Sequence, residues 1–105
     1  MQPTNTSIAI ALGSLSLTTR TLKIENIKGL HARASAKLAA VVEQFDAQAT
    51  VSKDGMDADG NSIMGLLMLA ASVGTYIDVT TCGPDAGALA DALVALVADK
   101  FGEGD

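Results

Sequence analysis

Tryptophan is absent from this 105-residue chain, and aromatic side chains make up only 3% of it. The core therefore has to be assembled from alanine, leucine, valine, isoleucine and methionine, which a 49% hydrophobic content supplies. One cysteine, Cys82, excludes an internal disulfide and leaves metal ligation without thiolate partners, so a reducing, cytoplasmic compartment is expected. Positive charge is scarce: seven Lys and Arg against twelve Asp and Glu give a net charge of −5. That deficit argues against nucleic acid as a partner, because phosphate contact needs a basic footprint. No run approaches the ~20 apolar residues of a membrane span. The apolar segment Ser7 to Leu17 has no basic residue ahead of it, the first being Arg20, which argues against a signal peptide.

What is present fits one domain. Residues 1–18 carry no charged side chain and are read as an N-terminal extension, flexible or loosely strand-like. Alternation of Ile8, Ile10 and Leu12 leaves a strand open there. The domain proper is expected over 19–105. From Thr21, Leu22 and Ile24 alternate with Lys23 and Glu25, the period of a half-buried strand. Between Ala32 and Phe45, Leu38, Val41, Val42 and Phe45 recur at helical spacing in an alanine-rich background. Ala47 to Lys53 alternates again, Asp54-Gly55 signals a hairpin turn, and Met56 to Asp59 returns. Asn61 or Ser62 is an N-cap type for a short helix through about Ala71. Tyr76 to Cys82 alternates as a further strand, and Gly83-Pro84-Asp85 breaks it before a last helix. Leu89, Leu93, Leu96, Val97 and Phe101 form the stripe of that helix. The order β-α-β-β-α-β-α implies an α+β pair of layers, with helices on one face of a mostly antiparallel sheet and the other face wet.

The chemistry concentrates in Gly29-Leu30-His31-Ala32-Arg33, a strand-to-helix junction holding the chain's one histidine. A helix N-terminus offers unpaired N–H groups and the positive dipole end to an anion. A histidine there can carry a phosphoryl group, and Arg33 can bond to its oxygens. The plainer alternative is that His31 only caps the helix. Ser62 likewise reads as a cap. On the second helix Ile63, Leu66 and Leu69 are assigned to the core, which leaves Met64, Leu67 and Met68 as an exposed patch suited to partner docking. Asp54, Asp57 and Asp59 lack the closing glutamate of a calcium loop and read as a solvated acidic hairpin.

Element order and motif together resemble HPr, the histidine-phosphorylatable phosphocarrier of the bacterial phosphoenolpyruvate:sugar phosphotransferase system, over about Thr21 to Phe101. A second motif, Asn61-Ser62-Ile63-Met64-Gly65-Leu66-Leu67-Met68-Leu69, is similar to the family's regulatory serine and the apolar helix it caps. The resemblance implies an open-faced β-sandwich, a four-stranded antiparallel sheet with three helices on one face, in a monomer without cofactor or metal. It implies phosphorylation of His31 on Nδ1 by Enzyme I, with Arg33 contacting the phosphate, and onward transfer to a histidine of a IIA-type acceptor. Ser62 would then be the target of an HPr kinase/phosphorylase. Ala34 and Ser35 depart from the family, which usually has proline after the arginine. The Leu66-Leu67-Met68-Leu69 run looks as much like the nitrogen-related branch, NPr, as like the sugar branch. A docking protein of the same fold with His31 idle is the rival reading. An enzyme with its own turnover is disfavoured, because the sequence shows no second acid–base partner near His31.

Overall fold

Two alternating runs from opposite ends of the chain meet in the sheet. In the computed structural model, which describes residues 16–104, β1 (Ser16–Lys23) pairs antiparallel with β4 (Tyr76–Gly83), from Ser16↔Gly83 to Lys23↔Tyr76. β2 (Gln48–Lys53) lies on the other side of β4, and β3 (Met56–Asp59) hairpins back onto β2. The strand order is β1-β4-β2-β3, every pair antiparallel. Asp54 (φ 51°) and Gly55 (φ 82°) make the two-residue turn with both residues left-handed, the geometry that matches strand twist in a tight hairpin.

Helices α1 (Ala32–Val42), α2 (Ile63–Met68) and α3 (Ala86–Ala98) cover one face of this sheet, an α+β open-faced sandwich. Period-two alternation sends Leu22, Ala49, Val51, Ile77 and Val79 toward them, where Leu38, Leu66, Leu89, Leu93 and Phe101 close the core. The uncovered face is polar and internally bonded. Thr21 donates to Asp78 at 2.6 Å, Ser52 donates to Asp57 at 2.6 Å, and the Thr19 and Thr80 hydroxyls lie 3.2 Å apart. Among the described residues no helix is long and apolar enough to cross a membrane.

Several boundaries differ from the sequence expectation. β1 begins at Ser16, so Ser16, Leu17 and Thr18 are strand, opposite Gly83, Cys82 and Thr81. The alternating Ile8, Ile10 and Leu12 lie outside the described residues. α1 stops at Val42 rather than Phe45. Asp46 and Asp85 tie the following turn to the β4–α3 loop through reciprocal bonds of 2.9 and 3.0 Å, and Phe45 packs half-buried from that turn. α2 stops at Met68 rather than about Ala71, because Ala70 takes a left-handed φ of 53°. Ile63, expected in the core, is 41% exposed, whereas Leu66 and Leu69 are buried. Phe101 is buried but is not on α3: the helix ends at Ala98, and Lys100 and Phe101, both at φ 55°, fold a short 3-10 turn (Lys100–Gly102) back under the domain.

Candidate functional site

The site begins with a loop that has to come very close to another. After β1, the chain turns at Gly29 (φ +66°), where an added Cβ would lie 2.5 Å from the Ala71 carbonyl oxygen and 2.9 Å from Ser72 Cα. Only glycine meets both demands. The approach lets the Leu30 N–H donate to the Ala71 carbonyl at 2.9 Å, which moors the loop to the segment after α2. Asn26, fully buried, braces the turn from inside by donating to the Gly29 carbonyl at 2.7 Å.

His31 follows as the N-cap residue of α1, with extended backbone (φ −75°, ψ −177°) and no side-chain capping bond. The residue caps the helix through its backbone alone, so the imidazole is not spent on the helix. The Ser35 N–H gives the first helical bond, to the His31 carbonyl at 2.8 Å, while the Ser35 hydroxyl donates to the Leu30 carbonyl at 3.1 Å. That leaves the N–H groups of Ala32, Arg33 and Ala34 pointing out of the helix end, unopposed by any acidic residue in the first turn. The Arg33 side chain is exposed and makes no hydrogen bond or ion pair among the described residues. An oxyanion carried on the imidazole would meet a dipole end and a free guanidinium.

The expectation that His31 has no ionisable neighbour is overturned. One carboxylate oxygen of Glu103 contacts His31 Nε2, and the other accepts from Asn26 Nδ2 at 3.1 Å. The bond from His31, then that from Asn26 and the charges of His31 and Lys28, outweigh desolvation and hold the Glu103 carboxyl below its usual range. Glu103 is brought there by the turn after α3, with Phe101 buried as its anchor and Lys37 Nζ donating to the Phe101 carbonyl at 2.6 Å. Nothing in the sequence spacing marks Glu103, which lies 72 residues from His31.

Ser62, not Asn61, is the cap of α2: its hydroxyl accepts from the Gly65 N–H at 3.1 Å, and Asn61 instead donates to Glu43 at 2.9 Å. Met64 and Met68 are 69% and 68% exposed, and Leu67 is half-buried. Ile27, in the loop that leads to His31, is exposed as well, an apolar surface position that the sequence reading missed. Among the described residues no group of three or more His, Cys, Asp and Glu side chains could hold a metal ion.

Residues 18–99 match the family described as "PTS HPr component phosphorylation site". The chain is similar to phosphocarrier protein HPr of Cupriavidus necator, 48% identical over 86 residues that cover 82% of this chain and 97% of that protein. It is also similar to phosphocarrier protein NPr of Shewanella violacea, 44% identical over 84 residues, 80% of this chain and 92% of that one. Among solved structures, HPr-C-His from Thermoanaerobacter tengcongensis superposes with a TM-score of 0.78 at 36% identity, covering 82% and 97% of the two chains.

Proposed function

Because the chain belongs to the HPr family of phosphocarrier proteins of the phosphotransferase system, we propose that His31 is its phosphoryl acceptor, loaded by phosphorylated Enzyme I and unloaded onto a IIA-type protein. The observation that carries this reading is an imidazole at the open N-terminus of α1 that makes no capping bond, beside an Arg33 side chain that has no partner among the described residues. The chain works as a relay with a covalent intermediate and releases no product alone. The lone Cys82 fits the reducing, cytoplasmic setting of that relay.

Phosphoryl transfer asks mainly for positioning and charge stabilisation, so few residues suffice. The magnitudes also favour a sparse site. A helix end favours an exposed anion by about 0.3–1 kcal/mol, and a hydrogen bond to a charged group contributes about 1.5–3 kcal/mol. Each ~1.4 kcal/mol of stabilisation raises the phosphohistidine population tenfold and lowers its transfer potential equally. One guanidinium and one helix end leave the group transferable, where a deep basic pocket would trap it.

Met64, Leu67 and Met68 are assigned to partner docking, supported by the exposure of the two methionines. Ser62 is assigned a regulatory phosphorylation by an HPr kinase/phosphorylase, supported by a hydroxyl at the start of the docking helix. The test is incubation with Enzyme I and labelled phosphoenolpyruvate. Wild type should acquire an acid-labile label that His31→Ala lacks while remaining folded. Label that persists on the variant would refute His31 as the acceptor.

A further inference from the structure

A neutral imidazole has one nitrogen with a proton and one with a lone pair, and only the second can attack phosphorus. Which is which follows from what the other nitrogen touches. In this chain Nε2 of His31 faces a carboxylate, an acceptor with no hydrogen to give, so Nε2 must carry the proton. We infer that Glu103 is a positioning residue for the transfer: it holds the proton on Nε2, leaves the Nδ1 lone pair as nucleophile, and retains that proton through the whole cycle.

The carboxylate is built in rather than draped over the site. Its side chain is 13% exposed against 26% for His31, and it rides on the buried Phe101 turn. Asn26 fixes its orientation. The Asn26 amide has two hydrogens, and both are committed, one to the Gly29 carbonyl at 2.7 Å and one to Glu103 Oε1 at 3.1 Å. Asn26 therefore ties the backbone turn before His31 and the group behind His31 to one rigid donor. The Glu103 carboxyl is held below its usual range, and it stays ionised at neutral pH.

The inference rests on the carrier reading and gives it a proton balance. The Nδ1 lone pair forms the new N–P bond as the donor's phosphohistidine N–P bond breaks, its electron pair returning to the donor nitrogen. No proton has to leave His31, because Nδ1 had none. The ring becomes a phosphoimidazolium whose positive charge faces the Glu103 carboxylate. In onward transfer the Nδ1–P bond breaks and its pair returns to Nδ1. The leaving group is then neutral imidazole with its Nε2 proton in place, not imidazolate, which departs far less readily.

Glu103→Gln separates this role from a merely structural one. Asn26 still donates toward the position of Oε1, so the new amide is driven to put its oxygen there and its NH₂ against Nε2. That arrangement rewards a lone pair on Nε2 and moves the proton to Nδ1. Since His31 is the chain's one histidine, ¹⁵N-histidine labelling gives a single pair of ring signals to read at mildly alkaline pH. Wild type should show the Nε2–H tautomer, Glu103→Gln a shift toward Nδ1–H, and Glu103→Ala an intermediate mixture. Loading from phosphorylated Enzyme I and return transfer should both slow about 10- to 100-fold in Glu103→Gln, the loss expected for one charge-assisted hydrogen bond. Equal tautomer populations and equal rates in wild type and Glu103→Gln would overturn the inference, as would a variant that loses only melting temperature. A wild type that takes up no label would fail the carrier reading instead, and the tautomer measurement, which needs no phosphate, would still decide what Glu103 does to His31.

Discussion

Gly29→Ala tests whether the approach of the histidine loop to the segment after α2 sets both stability and transfer. Two costs add at this position. Holding an L residue at the left-handed φ of +66° costs about 1–2 kcal/mol. The new Cβ would also sit 2.5 Å from the Ala71 carbonyl oxygen and 2.9 Å from Ser72 Cα, both backbone atoms that cannot swing aside. Relief requires the loop to lift, which breaks the 2.9 Å bond from the Leu30 N–H to the Ala71 carbonyl at a further cost of about 1 kcal/mol or more. The sum is about 3 kcal/mol. Gly55→Ala is the matched control: φ is +82°, nothing lies within 4 Å, and only the same left-handed cost of about 1–2 kcal/mol applies. The conformational cost cancels between the two variants, so urea unfolding should show Gly29→Ala less stable by about 1 kcal/mol or more. Labelled transfer from Enzyme I should slow in Gly29→Ala alone, because His31 sits two residues beyond the lifted turn. Equal stabilities, or unimpaired transfer in Gly29→Ala, would refute the idea that this contact positions the histidine.

Arg33→Ala should still accept phosphate but transfer about tenfold or more slowly, as one charge-assisted bond is lost while the nucleophile remains; stopped-flow transfer in both directions measures it. Ser62→Asp should weaken binding to Enzyme I without lowering the melting temperature, since a negative charge suits a helix N-terminus but is costly to bury at an apolar interface; titration calorimetry at two ionic strengths checks this. Phe101→Ala should cost about 3–5 kcal/mol, because the ring is fully buried, and urea unfolding reads it. The Glu103 contact has a definite pH sign. The folded-state carboxyl titrates below its unfolded value, so its contribution is present above the ordinary glutamate range and is lost as pH falls through the lowered value. Melting curves of wild type and Glu103→Gln should accordingly converge as pH drops below that range, and a gap that widens on acidification would contradict the assignment.

Local signals carried most of the fold. Period-two alternation located β1, β2 and β4, and Asp54-Gly55 located the hairpin, because a strand's two faces and a left-handed turn leave marks in adjacent residues. His31 and Arg33 were legible for the same reason, being two steps apart on one helix end. The misses are tertiary. Phe101 continues the helical spacing of Leu93 and Val97, yet the chain reverses before it, since burial of its ring outweighs two left-handed residues. Ile63 has the hydrophobicity of a core residue but lies on the outer side of a helix too short to bury it. Glu103 could not be found at all: a glutamate between two glycines looks like solvent-facing tail until the Phe101 turn is known. Asn26 opens the turn before His31, its carbonyl accepting from the Gly29 N–H, and it is also fully buried, with its side-chain donors divided between two distant parts of the site.

The pairing of β1 with β4 has a kinetic consequence. Only β2 and β3 are neighbours in sequence, whereas β1 waits for a partner roughly half the chain away. Closing so long a loop is slow relative to forming a local hairpin. During synthesis, the histidine loop cannot be moored until Ala71 has followed it, and the Glu103 contact closes later still. A nascent or truncated chain thus displays a histidine without its docking loop or its carboxylate. On the reading proposed above, full transfer rate would then require both long-range contacts to close around His31.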